Sequence, residues 1–306
     1  MIVALSGGIG GAKLALGLSH VLPPEELLVV ANTGDDFEHL GLAISPDIDT
    51  LTYTLAGLDN PDLGWGRRDE SWACMETLGA LGGPSWFRLG DRDLALHLLR
   101  TERLRAGEML SAVTDDIRRR LGIGARILPM SDDPVRTRIG TAEGWLDFQD
   151  WFVGRRAGPA VQAIDFLGAA AARPQPAVLA ALAARPRAVV ICPSNPFISI
   201  EPILAVPGMR EAIQASGAPV IAVSPIIAGQ AVKGPTAKIF AELGTPPTAA
   251  AVAARYGALL SGFVMEEGDE AAGIAPRVFR AATLMRSLED KVALARAVLA
   301  AAETLR

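Results

Sequence analysis

Hydrophobic positions fall along this chain in two rhythms. Short unbroken apolar runs occupy residues 2–5, 27–31, 188–192, 219–223 and 262–265. Between them lie segments whose apolar residues recur at helical spacing, such as 93–105 and 288–305. Strands buried on both faces read as such continuous runs, and their alternation with helices predicts a parallel sheet covered on both sides. Ligands of such sheets bind beyond the carboxyl ends of the strands. The residues just after each run therefore carry the functional argument. The middle third breaks the alternation. Residues 65–122 are mostly helical in pattern, and Arg118, Arg119 and Arg120 close one of these helices with positive charge, as a helix C-terminus favours. Residues 126–152 mix short extended runs with turn residues and predict a β insertion.

The first run opens into a segment with four glycines in five residues, Gly7, Gly8, Gly10 and Gly11, followed by Lys13. The order is strand, glycine segment, then a helix from about Ala12. Glycine lets the backbone turn tightly and approach a ligand closely. A helix start offers unpaired amides and the positive end of a dipole, which suits an anion. The segment thus predicts a phosphate cradle, the alternative being a tight turn with no ligand. Neither standard fingerprint is present. A Walker A loop needs Gly-Lys-Ser/Thr, but Lys13 stands between Ala12 and Leu14. In the dinucleotide register that starts at Gly8, Lys13 falls where Gly or Ala is required.

Carboxylates follow. The second run ends in Asn32-Thr-Gly-Asp35-Asp36, and Ser45-Pro-Asp47-Ile-Asp49-Thr comes soon after. Four carboxylates beside an anion site repel the anion unless a cation intervenes. Mg²⁺ takes one or two carboxylates and fills its other positions with water and substrate phosphate. Capping of a helix beginning near Thr50 is the alternative for Asp47 or Asp49. Further on, Arg88 and Arg92 could grip a phosphate, with Asp91 and Asp93 orienting them or favouring a helix start; surface ion pairs are the alternative. Ser194 and Asn195 follow one run, and Ser224 and then Lys233-Gly-Pro-Thr follow another, all suitable partners for a base or phosphate. His20, His39 and His97 have no metal-ligand spacing and read as surface or local hydrogen-bonding residues. Trp65, Trp72, Trp86, Trp145 and Trp151 cluster in the middle third, either as core or as the wall of a flat aromatic substrate site.

Composition narrows the class. With 306 residues, half of them hydrophobic, the chain can build one large α/β domain or two smaller ones. A net charge of −5 argues against a general nucleic-acid binder. Two cysteines, Cys74 and Cys192, imply no disulfide framework and fit a reducing cytosol; Cys192, within an apolar run, reads as core. No signal peptide opens the chain and no run is long and apolar enough to span a membrane, so a cytoplasmic protein is expected. From residues alone the expectation is an α/β enzyme or binder for a phosphorylated, nucleotide-bearing ligand, with Mg²⁺.

The motifs SGGIGGAKLALGL, ANTGDD, ISPDIDT, GWGRRDES, LGDRDLA, ILPMSDDPVRT, FQDWFV, PSNPFISIEPIL and SPIIAG occur in this order, with Thr283-Leu-Met near the end. Together they closely resemble the 2-phospho-L-lactate transferase (CofD/FbiA) family, nearly end to end. The resemblance implies an α/β, Rossmann-like three-layer fold with a mostly parallel sheet. It would be a single domain over 1–306 with a helical and β insertion at about 65–160. It implies transfer of the phospho-acid part of a guanosine-diphosphate-linked three-carbon acid to the ribityl hydroxyl of Fo (7,8-didemethyl-8-hydroxy-5-deazariboflavin). GMP is released and the F-420 type of coenzyme is formed. Members differ in the donor acid, which derives from lactate, phosphoenolpyruvate or phosphoglycerate. By the same resemblance Asp35 and Asp47 match Mg²⁺-binding positions, and Asp49 and Arg88 match positions associated with Fo. Asp49 or Asp36 would position the hydroxyl or accept its proton, a mechanism without a dedicated base being left open. Gly7, Gly8, Gly10, Gly11, Lys13, Asn32, Asp91, Arg92, Ser194, Asn195 and Ser224 complete the expected substrate site. A homodimer is expected from the resemblance only. The alternatives are a nucleotide-sugar-binding regulator of the gluconeogenesis-factor (YvcK-like) family, which shares the fold, and a nicotinamide dehydrogenase, which the failed dinucleotide fingerprint disfavours.

Overall fold

The apolar runs become strands of one sheet. The computed structural model describes residues 1–61, 63–231 and 234–306. Its seven-stranded sheet comprises β1 (Ile2–Ser6), β2 (Leu27–Ala31), β3 (Arg126–Pro129), β4 (Ala188–Ile191), β5 (Val220–Val223), β6 (Gly262–Met265) and β7 (Arg277–Arg280). Strands outside this sheet are named by their residues. The order is β7-β6-β5-β4-β1-β2-β3, and every neighbouring pair is parallel. The expected Rossmann-like α/β fold is therefore present.

Alternation along each strand sorts the core into two layers. Val3 and Leu5, with Leu28, Val30, Val189 and Ile191, face one side. Ile2 and Ala4, with Val29, Ala188 and Val190, face the other, packing on Leu14 and Leu18 of helix α1 (Gly8–Val21) and on Leu294 and Val298 of the C-terminal helix Leu288–Glu303. Cys192 is buried and its thiol is pushed up to about 12 by burial, so it is core as expected.

Two edge strands depart from the sequence reading. Arg126–Pro129, expected within the β insertion, is β3 and pairs with β2. Arg277–Arg280 forms β7, whose charged ends hide it among polar segments; an edge strand with an exposed flank carries no long apolar run. The helical part of the insertion contains α3 (Ala73–Ala80), α4 (Asp91–Arg105) and α5 (Leu110–Arg120), after α2 (Pro46–Leu55). The β part is a small antiparallel sheet with Arg136–Thr141 between Gly144–Asp147 and Ala163–Leu167. It is tied to the loop after β2 by Thr137 N–H, which donates to the Gly34 carbonyl at 2.7 Å.

Candidate active site

Strand order reverses at β1, which lies between β2 and β4. Their carboxyl ends converge there: Asn32 N–H donates to the Ser6 carbonyl at 2.9 Å, and Cys192 N–H to Leu5 at 3.0 Å. A crevice at such a reversal is where doubly wound sheets bind ligands.

Helix α1 begins at Gly8, so three of the four glycines lie in its first turn rather than in a loop before it. Their reasons differ. A Cβ on Gly10 would stand 2.2 Å from the Pro193 carbonyl oxygen, and one on Gly11 2.3 Å from Ser6 Oγ. Those glycines let the helix approach the β1 and β4 ends. Gly8 has φ +65° and open space around its Cβ position, so backbone conformation demands it and a ligand can reach it. Gly7 N–H donates to Ser194 Oγ at 3.3 Å and Gly8 N–H to Asp47 Oδ1 at 2.6 Å. Of the segment's first amides, one is thus already committed to a carboxylate.

Asp47 reaches that amide from the first turn of α2, whose start is fixed by Pro46. The fully buried Asn32 joins it to Asp35. Asn32 Nδ2 donates to Asp47 Oδ2 at 2.9 Å and to Asp35 Oδ1 at 3.2 Å. Its Oδ1 accepts from Gly34 N–H at 2.8 Å, which fixes the amide's orientation. Burial, and next the charge of Asp47, push the Asp35 carboxyl well above its usual range. Burial likewise raises Asp47 to about 6, against its hydrogen bonds from Asn32 and Gly8. Asp36 is raised to about 7 by burial, opposed by Arg136 and by Ser45, whose hydroxyl donates to Oδ2 at 2.8 Å. Its Oδ1 is buried without a partner. Asp35 and Asp47 offer hard oxygens in one place. Among the described residues no group of three or more His, Cys, Asp or Glu side chains gathers to hold a metal. A cation held by this pair must complete its shell with water or ligand oxygen, as Mg²⁺ commonly does.

Asp49, two residues on, points elsewhere. Both its oxygens are held by Arg100 of α4, through Nη1 at 3.1 Å and through Nη2. His97 stands between Asp49 and Asp93, with Nε2 3.1 Å from Asp93 Oδ2. Tyr53 donates its hydroxyl to the other Asp93 oxygen. Burial alone would raise Asp93, but the His97 and Tyr53 hydrogen bonds hold it below its usual range. Sequence reasoning missed Arg100 and His97 as members of this network. Their signal was the spacing Asp93, His97, Arg100 on one helix face and Asp49, Tyr53 on another.

Asp91 and Glu70 cap each other's helices. Asp91 accepts from Ala73 and Cys74 N–H at the start of α3, at 3.0 and 3.1 Å; Glu70 accepts from Arg92 and Asp93 N–H at the start of α4, at 2.7 and 2.9 Å. Asp91 is therefore engaged in capping, and the Arg92 side chain is exposed. Arg88 is exposed and lies over the Trp72 ring at 4.2 Å. Asn195 Oδ1 caps the turn at Pro196–Ile200, leaving Nδ2 buried without a partner. Ser224 is engaged with Ile226 backbone. Lys233 lies outside the described residues. Lys13 Nζ donates to the Met285 carbonyl at 2.9 Å.

The tryptophans divide. Trp151 is wholly buried core, whereas Trp65, Trp86 and Trp145 are exposed. Trp86 packs with Phe37, Phe87 and His39, next in sequence to Asp36. His20 is exposed, but His39 and His97 are buried rather than at the surface. Burial lowers the His39 pKa.

Fold and site together define a doubly wound α/β protein with a buried carboxylate pair at its topological switch point, beside a glycine-rich helix start. The sequence profile of the family described as 2-phospho-L-lactate transferase CofD matches residues 2–275, and the chain belongs to that family. It is similar over its whole length to proteins named phosphoenolpyruvate transferase. The Streptomyces griseus protein is 44% identical, with 100% of this chain and 99% of that protein covered. The Kitasatospora aureofaciens protein is 45% identical, with 100% and 98% covered. In fold it is similar to a Bacillus halodurans protein of the UPF0052 family (TM-score 0.63, 15% identity, 97% and 98% of the chains covered), a likeness of fold alone. The chain is accordingly a transferase of coenzyme F-420 biosynthesis. No helix among the described residues is long and apolar enough to cross a membrane.

Proposed function

We propose that this protein transfers the phosphoenolpyruvyl part of a guanosine-diphosphate-linked donor to the ribityl hydroxyl of Fo, releasing GMP. The observation that carries the reading is the Asp35–Asn32–Asp47 arrangement at the switch point, together with full-length similarity to proteins named for phosphoenolpyruvate. In the reaction the acceptor oxygen forms a bond to the phosphorus that bears the three-carbon acid. The bond from that phosphorus to the GMP oxygen breaks, and the electron pair leaves with GMP. Phosphoryl chemistry of this kind needs positioning and charge neutralisation more than covalent help.

Asp35 and Asp47 are the residues to hold Mg²⁺, which when bound offsets charge on the diphosphate. Two buried carboxylates, both raised by burial, are a donor set that a divalent cation relieves. Asn32 orients them. Gly8 gives the donor backbone access at the helix start. Of the two candidate proton acceptors, Asp36 is the better placed. Both Asp49 oxygens are engaged by Arg100, whereas Asp36 keeps one oxygen without a partner and has a pKa raised by burial to about 7. A carboxylate near neutrality suits proton transfer at cellular pH. The aromatic group of Phe37, Trp86 and Phe87, adjacent to Asp36, is a wall of the size and polarity for a flat deazaflavin.

The test is turnover with Fo, Mg²⁺ and three synthetic guanosine diphosphate donors, phosphoenolpyruvyl, phospholactyl and phosphoglyceryl, followed by mass spectrometry of deazaflavin product and GMP. The expected result is product from the phosphoenolpyruvyl donor at the highest kcat/KM. Product from a different donor alone corrects the acid. No product from any donor, with tight binding of a UDP-sugar, moves the protein to the regulator class.

A further inference from the structure

The Arg88 side chain is exposed, and among the described residues its guanidinium makes no hydrogen bond and no ion pair. It lies over the Trp72 ring, 4.2 Å from the centroid. A guanidinium is planar and stacks on an aromatic face, whose electrons attract its charge. Arg88 directly follows Trp86 and Phe87 in the chain. Those two rings pack with Phe37 and His39, within three residues of Asp36. The stack therefore stands beside the aromatic wall, and the reaction above leaves Trp72 without a role.

Local structure brings ring and guanidinium together. Trp72 immediately precedes α3, and Arg88 stands three residues before Asp91, the first residue of α4. Besides capping α3, Asp91 accepts from the Ser71 hydroxyl at 2.7 Å, and its own N–H donates to the Ser71 carbonyl at 3.0 Å. Glu70 returns the contact by capping α4. A Cβ on Gly90 would stand 2.2 Å from Glu70 Cδ, so the missing side chain lets the two segments close. Trp65 flanks the indole, with ring centroids 6.3 Å apart. The two helix starts are clasped by their backbones, and the stack on Trp72 gives the Arg88 side chain its direction.

We propose that Trp72 is a positioning residue for the acceptor: it holds the Arg88 guanidinium so that the face turned away from the indole takes the flat ring of Fo. The inference rests on the acceptor reading given under Proposed function. A free arginine side chain loses rotamer freedom when it stacks on a ligand, and a guanidinium already laid on an indole loses less. Guanidinium is also weakly hydrated, so covering its second face sheds little bound water. Its N–H groups lie in the same plane and stay available to oxygen atoms at the edge of the ring. Lysine, a compact point charge, cannot form this layer.

The experiment is a double-mutant cycle on Trp72→Leu and Arg88→Ala, with Trp72→Phe and Arg88→Lys as conservative variants. Fo is titrated into each protein by calorimetry, and KM for Fo and for the donor are measured with Mg²⁺; thermal unfolding confirms that each variant is folded. Trp72→Leu should weaken Fo binding and raise KM for Fo by about threefold to thirtyfold, with kcat and the donor KM changed less than twofold. Trp72→Phe should keep most of the affinity, and Arg88→Lys should lose it as Trp72→Leu does. In the Arg88→Ala background Trp72→Leu should add less than twofold, because the two residues act as one unit. Unchanged Fo binding in Trp72→Leu overturns the inference, as does an equal loss with and without Arg88, or a loss shared by kcat and the donor KM. In each of those cases wild-type transfer to Fo leaves the function standing. A wild-type protein that neither binds Fo nor transfers to it overturns the acceptor reading, and the inference with it.

Discussion

Asp47 and Asp49 sit two residues apart in the first turn of one helix and are equally buried, yet they live in opposite surroundings. Asp49 is met by a guanidinium from α4, inside a buried network that also takes in His97 and Asp93. Asp47 is met by the Asn32 amide and a backbone N–H, and burial raises its pKa against both. The first arrangement pairs its charges within the fold and ties α4 to α2. The second is charged only at a cost unless a cation arrives. Neutralised carboxylates hold structure, and uncompensated ones keep binding energy for a ligand.

The comparison is tested most severely by turnover. Under the proposed function, Asp35→Asn should lower kcat/KM with Mg²⁺ by several kcal/mol of transition-state stabilisation, on the order of a hundredfold to a thousandfold or more. The protein should remain folded, and steady-state assays over a range of Mg²⁺ check this. Wild-type turnover undiminished by the change would remove Asp35 from the metal site. The opposite behaviour is expected across α2. Arg100→Met leaves a buried carboxylate unpaired and should cost about 3–5 kcal/mol in urea unfolding. A loss well under 1 kcal/mol would mean that the network is not an anchor.

The pH response sharpens the contrast next. Asp36, Asp47 and Asp35 have raised folded-state values, so in metal-free protein they favour the fold most at low pH. For Asp36 and Asp47 that contribution is lost as pH rises from about 4 through about 7, and Asp35 acts in the same direction. Asp36→Asn should flatten this fall and raise stability at pH 8, by on the order of a few kcal/mol at most. Chemical denaturation across the range, with chelator present, reads it; a variant less stable than wild type at pH 8 would contradict the assignment. The smallest effect is ligand linkage. Saturating Mg²⁺ should stabilise wild type at pH 8 by about 1–3 kcal/mol and Asp47→Asn by much less. Equal shifts in the two proteins would place the cation elsewhere.

Much of this was legible in the chain. Periodicity gave the interior strands because strands buried on both faces must be apolar throughout. Edge strand β7 escaped it, and β3 was read as extended but placed in the β insertion, their flanks being free to carry Arg126, Arg277 and Arg280. The acidic pairs were visible as letters, but their division was not. Which carboxylate meets Arg100 depends on how α4 folds back over α2, a contact across 51 positions in sequence. The glycines were read as one ligand loop; close packing explains Gly10 and Gly11, and only Gly8 combines an open face with a left-handed backbone.

By itself the sequence determined the layered α/β architecture, the placing of chemistry at strand ends and the family, since local periodicity and ordered motifs need no knowledge of distant contacts. Tertiary structure alone decided which buried charges are paired and which amides the carboxylates already occupy. Those outcomes turn on distances of a few ångströms between residues far apart in the chain, and electrostatic energies in a low-dielectric interior change steeply over such distances.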